Sequence, residues 1–86
     1  MASSVAIEPR RVPLSAMKIG DRAVVVGVEL DPTIARRLRA LGFTAGTEVT
    51  VLRKAPLGDP IEYELRGGRV SIRGTDARHI LVDPVE

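Results

Sequence analysis

Ile61, Tyr63 and Leu65 alternate with Glu62, Glu64 and Arg66, and a Gly67-Gly68 pair leads into a second run, Arg69 to Arg73. An apolar side chain at every second residue is the mark of a strand with one buried face. Two such runs joined by two glycines predict a β-hairpin. With Gly67-Gly68 at the centre of the turn, Leu65 faces Val70 and Tyr63 faces Ile72 on one side of the ribbon. The same register sets Glu62 against Arg73 on the other side, a favourable cross-strand charge pair.

The rest of the chain reads as further short elements. Met17 to Asp21 closes on a Gly-Asp turn, and Arg22 to Leu30 is a valine-rich strand. Asp31 suits a helix N-cap and Pro32 the first helical position. Ile34, Leu38 and Leu41 then form one apolar stripe, with Arg36 and Arg39 on the far side and Arg37 on the flank. Gly42 follows as a left-handed C-terminal cap, which makes a helix of about ten residues. After the turn Ala45-Gly46-Thr47, the run Glu48 to Arg53 is a strand with Val49 and Val51 on one face. The loop Ala55 to Pro60 separates it from the hairpin. Thr75 is placed to cap one helical turn running to His79. Ile80 to Val82 is a closing strand, and Pro84 ends it. Together these predict a mainly β fold, a small SH3-like β-barrel of about five strands with one short amphipathic helix and a C-terminal helical turn. Closure of the barrel protects the edges of such short strands.

At 86 residues the chain fits one small domain. Residues 1–12, polar and carrying Arg10-Arg11, read as a flexible N-terminal tail, and 13–86 as the barrel domain. Net charge is only +2, because acids are interleaved with bases that are mostly arginine. A nucleic-acid binder shows a larger and more clustered excess. There is no cysteine, so disulfides and thiolate metal sites are excluded. The longest apolar run, Ala23 to Val28, falls far below the roughly 20 residues needed to cross a bilayer. The N-terminus lacks the pattern of a secretory signal. A soluble, cytoplasmic protein is expected.

Residues that carry chemistry are sparse. His79 is the single histidine, and with Asp76 it supplies two of the three or four ligands a metal site needs. Ser3, Ser4, Ser15 and Ser71 lack a base partner. No glycine lies in a phosphate-binding motif. The reading is therefore of a non-enzyme with no catalytic, cofactor or metal residues. A proline-peptide groove or a single-strand nucleic-acid platform needs several exposed aromatics. Here Tyr63 points to the core and Phe43 stands alone. What survives is a protein-interaction module. Its candidate surface is the helix face with Arg36, Arg37 and Arg39, together with the loop Ala55, Pro56, Leu57, Gly58, Asp59 and Pro60. The two prolines stiffen this loop for presenting Leu57; the competing reading folds Leu57 back onto the barrel as a lid. An exposed edge strand would allow weak homo-oligomers.

Arg37-Leu38, Leu41-Gly42, Gly46, Val49 and the run Ala55-Pro56-Leu57-Gly58-Asp59-Pro60-Ile61 resemble the FeoA family, whose pattern is R-L-x-x-L-G-[LF]-x-x-G-x-x-V followed by A-P-x-G-D-P. The resemblance continues through Gly67, Ile72-Arg73, Ala77 and Ile80 to Val82. Phe43 and Ala45 stand where Leu and Pro are common, and Gly68 and Gly74-Thr75 where bulkier or charged residues are frequent. The resemblance implies an SH3-like barrel and a small cytoplasmic accessory of bacterial ferrous iron uptake. It further implies that such a protein is expected to contact the cytosolic, GTPase-bearing part of the FeoB membrane transporter. The alternative is a metal-responsive regulatory domain, similar to the C-terminal SH3-like part of DtxR-type repressors.

Overall fold

The computed structural model describes residues 11–29 and 31–85. Six antiparallel strands form one sheet: β1 (Val12–Pro13), β2 (Arg22–Val28), β3 (Glu48–Lys54), β4 (Ile61–Leu65), β5 (Gly68–Ile72) and β6 (Ile80–Val85). Helix α1 (Pro32–Ala40) joins β2 to β3, α2 (Gly74–Ala77) joins β5 to β6, and a 3-10 turn, Leu14–Ala16, follows β1. The spatial order is β1-β6-β2-β3-β4-β5, so the sheet is mainly β and SH3-like in pattern but not closed. The expected closure is therefore corrected: among the described residues β1 and β5 are edges. The sixth strand comes from Val12, assigned above to the tail, which pairs with Val82. Residues 1–10, Leu30 and Glu86 lie outside the described residues, and with them most of the expected tail and the last residue expected of β2; the strand itself stops at Val28, before Glu29.

The core gathers the strand residues that alternation placed inward, Val49, Val51, Ile61, Tyr63 and Leu65, with Leu14, Leu38, Phe43, Ile80 and Val82. Phe43 does not stand alone. Its ring meets Tyr63 edge to face, with centroids 6.1 Å apart and planes at 89°, a favourable geometry for two quadrupoles.

Helix α1 starts and stops where its local chemistry says. Asp31 accepts the Thr33 N–H at 2.8 Å and Pro32 occupies the first turn. At the other end Phe43 N–H donates to the Leu38 carbonyl and Gly42 N–H to the Arg39 carbonyl, the paired bonds of a Schellman motif. Gly42 has φ +116°, which requires glycine, and a Cβ there would also come 2.9 Å from Leu65 Cδ1, so that methyl would have to move. The apolar stripe is shifted from the expected one. Ala35 and Leu38 are buried and Ile34 half-buried, whereas Leu41, already past the last helical residue, is 44% exposed.

The hairpin forms, but two residues out of the expected register. Its turn is Arg66-Gly67, with φ 52° and 77°, the left-handed pair that two-residue hairpins favour. Arg66 bears a left-handed conformation because its guanidinium donates to Thr44 Oγ1 at 2.6 Å and to Thr47 Oγ1 at 3.1 Å. Leu65 thus faces Gly68, Tyr63 faces Val70 and Ile61 faces Ile72. Glu62 lies opposite Ser71, and its cation is Arg53 on β3, at 2.7 Å, instead of Arg73. A slip of two residues keeps every side chain on its own face, so alternation alone does not detect it.

Two smaller expectations are also corrected. β6 runs through Pro84, which pairs with Ala23. β1 reaches only Leu81 and Val82, so Pro84 has described partners on one side alone, a place that a residue without a donor tolerates. Thr75 does not cap α2; the cap comes from a loop far away in sequence.

Candidate partner-docking surface

The loop 55–60 is closed across its base. Ala55 N–H donates to the Pro60 carbonyl at 2.9 Å, and Gly58 N–H turns back to the Ala55 carbonyl at 2.6 Å. Asp59 then leaves the loop altogether. Its Oδ1 accepts the backbone N–H of Gly74 at 2.6 Å, the first residue of α2, doing the work expected of Thr75. These three bonds leave Leu57 at the tip, 97% exposed. The presented geometry is the one adopted, and the folded-back lid is not.

The three arginines of α1 do not share one role. Arg37 reaches across to α2 and pairs with Asp76 at 3.0 Å. Arg36 and Arg39 are exposed, with no ion pair among the described residues. Helical spacing accounts for the split, since Arg37 lies on the flank and the other two point away from the sheet. Arg37, Asp76, Asp59 and Gly74 therefore stitch α1, α2 and the loop into one surface.

A hollow of about 400 Å³ opens between α1, α2 and the free side of β5, bordered by Arg37, Leu41, Ser71, Ile72, Arg73 and Asp76. A second hollow, of about 270 Å³, lies beneath the loop between Arg53, Ala55, Pro60, Glu62 and Ser71. Leu41, Arg73 and Asp76 were not singled out as surface residues from sequence. Leu41 carried a signal in its place beside the capping glycine, where a side chain leaves the helix axis. Neither hollow contains an aromatic ring, because Phe43 and Tyr63 are both in the core. Burial first, and the Asp59 carboxylate second, push the Tyr63 phenol well above its ordinary value of 10.0.

Among the described residues no three His, Asp or Glu side chains lie together as metal ligands. His79 is half-buried, and its hydrogen bonds among the described residues run through its backbone: its N–H donates to the Asp76 carbonyl, and its carbonyl accepts from the Glu29 N–H. No helix among the described residues is long and apolar enough to cross a membrane.

The FeoA domain model matches residues 12–84. This chain belongs to the FeoA family. Over 70 residues it is 40% identical to the Fe(2+) transport protein A/Fe(2+) transporter FeoB fusion protein of Porphyromonas gingivalis, covering 81% of this chain and 8% of that protein. The chain thus spans a small part of that curated relative. Among solved structures, the FeoA protein of Chlorobium tepidum is 43% identical with TM-score 0.81, covering 87% of this chain and 71% of that one. Stenotrophomonas maltophilia FeoA, described as a procaryotic SH3 domain protein and solved with zinc, is 36% identical with TM-score 0.71, covering 81% and 87%. A manganese-dependent transcriptional repressor shares the fold at TM-score 0.81 and 21% identity, over 92% of this chain and 44% of that one. That likeness is one of architecture. The A-P-L-G-D-P loop that carried the sequence resemblance to FeoA is the one that Asp59 ties to α2.

Proposed function

We propose that this FeoA-family chain is a cytoplasmic, non-enzymatic accessory of ferrous iron uptake that acts by docking on the cytosolic, GTPase-bearing part of a FeoB-type transporter. The observation that carries the reading is the Porphyromonas gingivalis relative, in which a FeoA-like segment and FeoB are one chain. Covalent fusion raises the effective concentration of two parts that work in contact. The docking residues we assign are Leu57, on the loop Ala55, Pro56, Leu57, Gly58, Asp59 and Pro60, together with Arg36, Arg37 and Arg39 of α1.

The roles within this surface differ. Leu57 is the apolar anchor, held out by a loop whose internal bonds lower the ordering cost of binding. Arg36 and Arg39 steer an acidic partner and add little affinity of their own. Arg37 and Asp59 position the surface through Asp76 and Gly74. The test is co-purification of the chain with the isolated cytosolic domain of a FeoB-type transporter, with ferrous iron uptake in a deletion strain as the functional readout. Leu57→Asp is expected to abolish both while the fold stays intact. Retention of both by a folded Leu57→Asp protein overturns the assignment.

A further inference from the structure

β5 ends the sheet. Its described strand partner is β4, and its other side borders the hollow shared with α1 and α2. In a two-residue hairpin the closing pair, here Leu65 and Gly68, exchanges both ladder bonds, and bonded and non-bonded pairs alternate from there. Arg69 and Ser71 fall at the non-bonded positions toward β4, so their N–H and C=O groups turn outward along the free edge. An edge of this kind is a template for one more strand.

The side chains around the edge say what that strand should carry. On the outer face of the ribbon stand Arg69 and, just past the strand, Arg73, both exposed. Toward the hollow, the exposed Leu41 and the buried Ile72 form an apolar floor. A strand lying along β5 would alternate likewise, one set of side chains beside the arginines and the other over Leu41.

Charge separates a foreign strand from a second copy. From Gly68 to Arg73 the edge carries two arginines, Arg69 and Arg73, and no carboxylate. Antiparallel pairing of two such edges would crowd arginine against arginine, which cross-strand like charges oppose. An acidic strand meets the same residues with opposite charge.

We propose that the free edge of β5 binds an extended polypeptide segment of alternating acidic and apolar residues as an added strand. Its carboxylates lie beside Arg69 and Arg73, and its apolar side chains lie over Leu41 and Ile72. This goes beyond the proposed function, because it specifies the chemistry of the docked segment whichever protein owns it.

The test uses the full chain, labelled for amide NMR, and a short end-blocked peptide of alternating glutamate and valine. Its lysine–valine counterpart is the control. The glutamate peptide is expected to shift the Arg69 and Ser71 amides, slow their hydrogen exchange, and bind more weakly as salt rises. Arg73→Glu should weaken binding about five-fold, and Ser71→Pro, which removes one outward N–H, should weaken it independently. Leu57→Asp should leave peptide binding unchanged, which keeps failure here distinct from failure of the transporter reading. The proposal is overturned if those amides do not respond, if the lysine peptide binds equally well, or if both folded edge variants bind as before. Concentration-dependent shifts of the same amides without peptide would also overturn it, because a second copy would then occupy the edge.

Discussion

Asp59 Oδ1 accepts the backbone N–H of Gly74 at 2.6 Å, so a loop between β3 and β4 caps a helix that lies beyond β5. The bond is charge-assisted and sits at the positive end of the short helix α2. It also fixes the base of the loop that presents Leu57. Stability and presentation are therefore coupled through one carboxylate.

Asp59→Ala should lower unfolding free energy by about 1 kcal/mol, the usual cost of a lost cap. Urea unfolding measures that loss, and faster exchange of the Gly74 amide locates it. If the Gly74 amide exchanges as before, the cap has another source.

Leu57 makes the opposite case. At 97% exposure it contributes little to the fold, so Leu57→Asp should unfold within about 0.5 kcal/mol of the wild type. The effect is expected in partner capture alone, which compares directly with the Asp59 variant.

The arginines can be told apart by charge reversal. Arg36→Glu should leave thermal stability unchanged, and Arg39→Glu, in the last turn of α1, should cost only about 0.3 kcal/mol through the helix dipole. Arg37→Glu sets a second carboxylate against Asp76, costing about 1 kcal/mol, as expected for a pair exposed on its arginine side. Equal melting of all three variants would mean that the 3.0 Å Arg37–Asp76 contact does not hold α1 to α2 in solution.

Gly42→Ala is the expected severe surface change. The substitution forces a side chain into a positive φ and against Leu65 Cδ1 at 2.9 Å. A loss of at least about 1 kcal/mol follows from backbone strain alone, read as an earlier urea midpoint with unchanged slope.

Tyr63 sets the alkaline limit. The folded state holds the phenolic proton above pH 10.0, where the unfolded chain releases it. Its contribution is intact below that pH and is lost as pH rises beyond it, at up to about 1.4 kcal/mol per pH unit. Tyr63→Phe should flatten this decline. As Tyr63 is the single tyrosine, phenolate absorbance reports the ionisation directly. A wild-type decline equal to that of the Phe variant would place the cause elsewhere.

Much of this could be read without coordinates, for a physical reason. Asp31, Pro32 and Gly42 act on backbone groups a few residues away, so their identities fix where α1 starts and stops. Alternation assigned Ile61, Tyr63 and Leu65 to the core, because the pleat gives each residue one of only two faces. FeoA membership was equally legible in Leu41-Gly42 and the run from Ala55 to Ile61. The hairpin register was not, since Gly67-Gly68 and Arg66-Gly67 both satisfy the same alternation. The choice fell to Thr44 and Thr47, which hold Arg66 in a left-handed conformation from the loop that leads into β3.

Chain-local rules thus settled which elements exist and which way they face. Relations between distant residues settled the surface: Asp59 with Gly74, Arg37 with Asp76, and the open edge of β5 beside Leu41. None of these is a property of a segment. Each depends on how far the sheet curls and where α2 comes to rest, and those follow from packing around Leu38, Phe43 and Tyr63. Leu57 and Leu38 are the same residue type, yet one is 97% exposed and the other fully buried. Only the folded neighbours decide which one meets water.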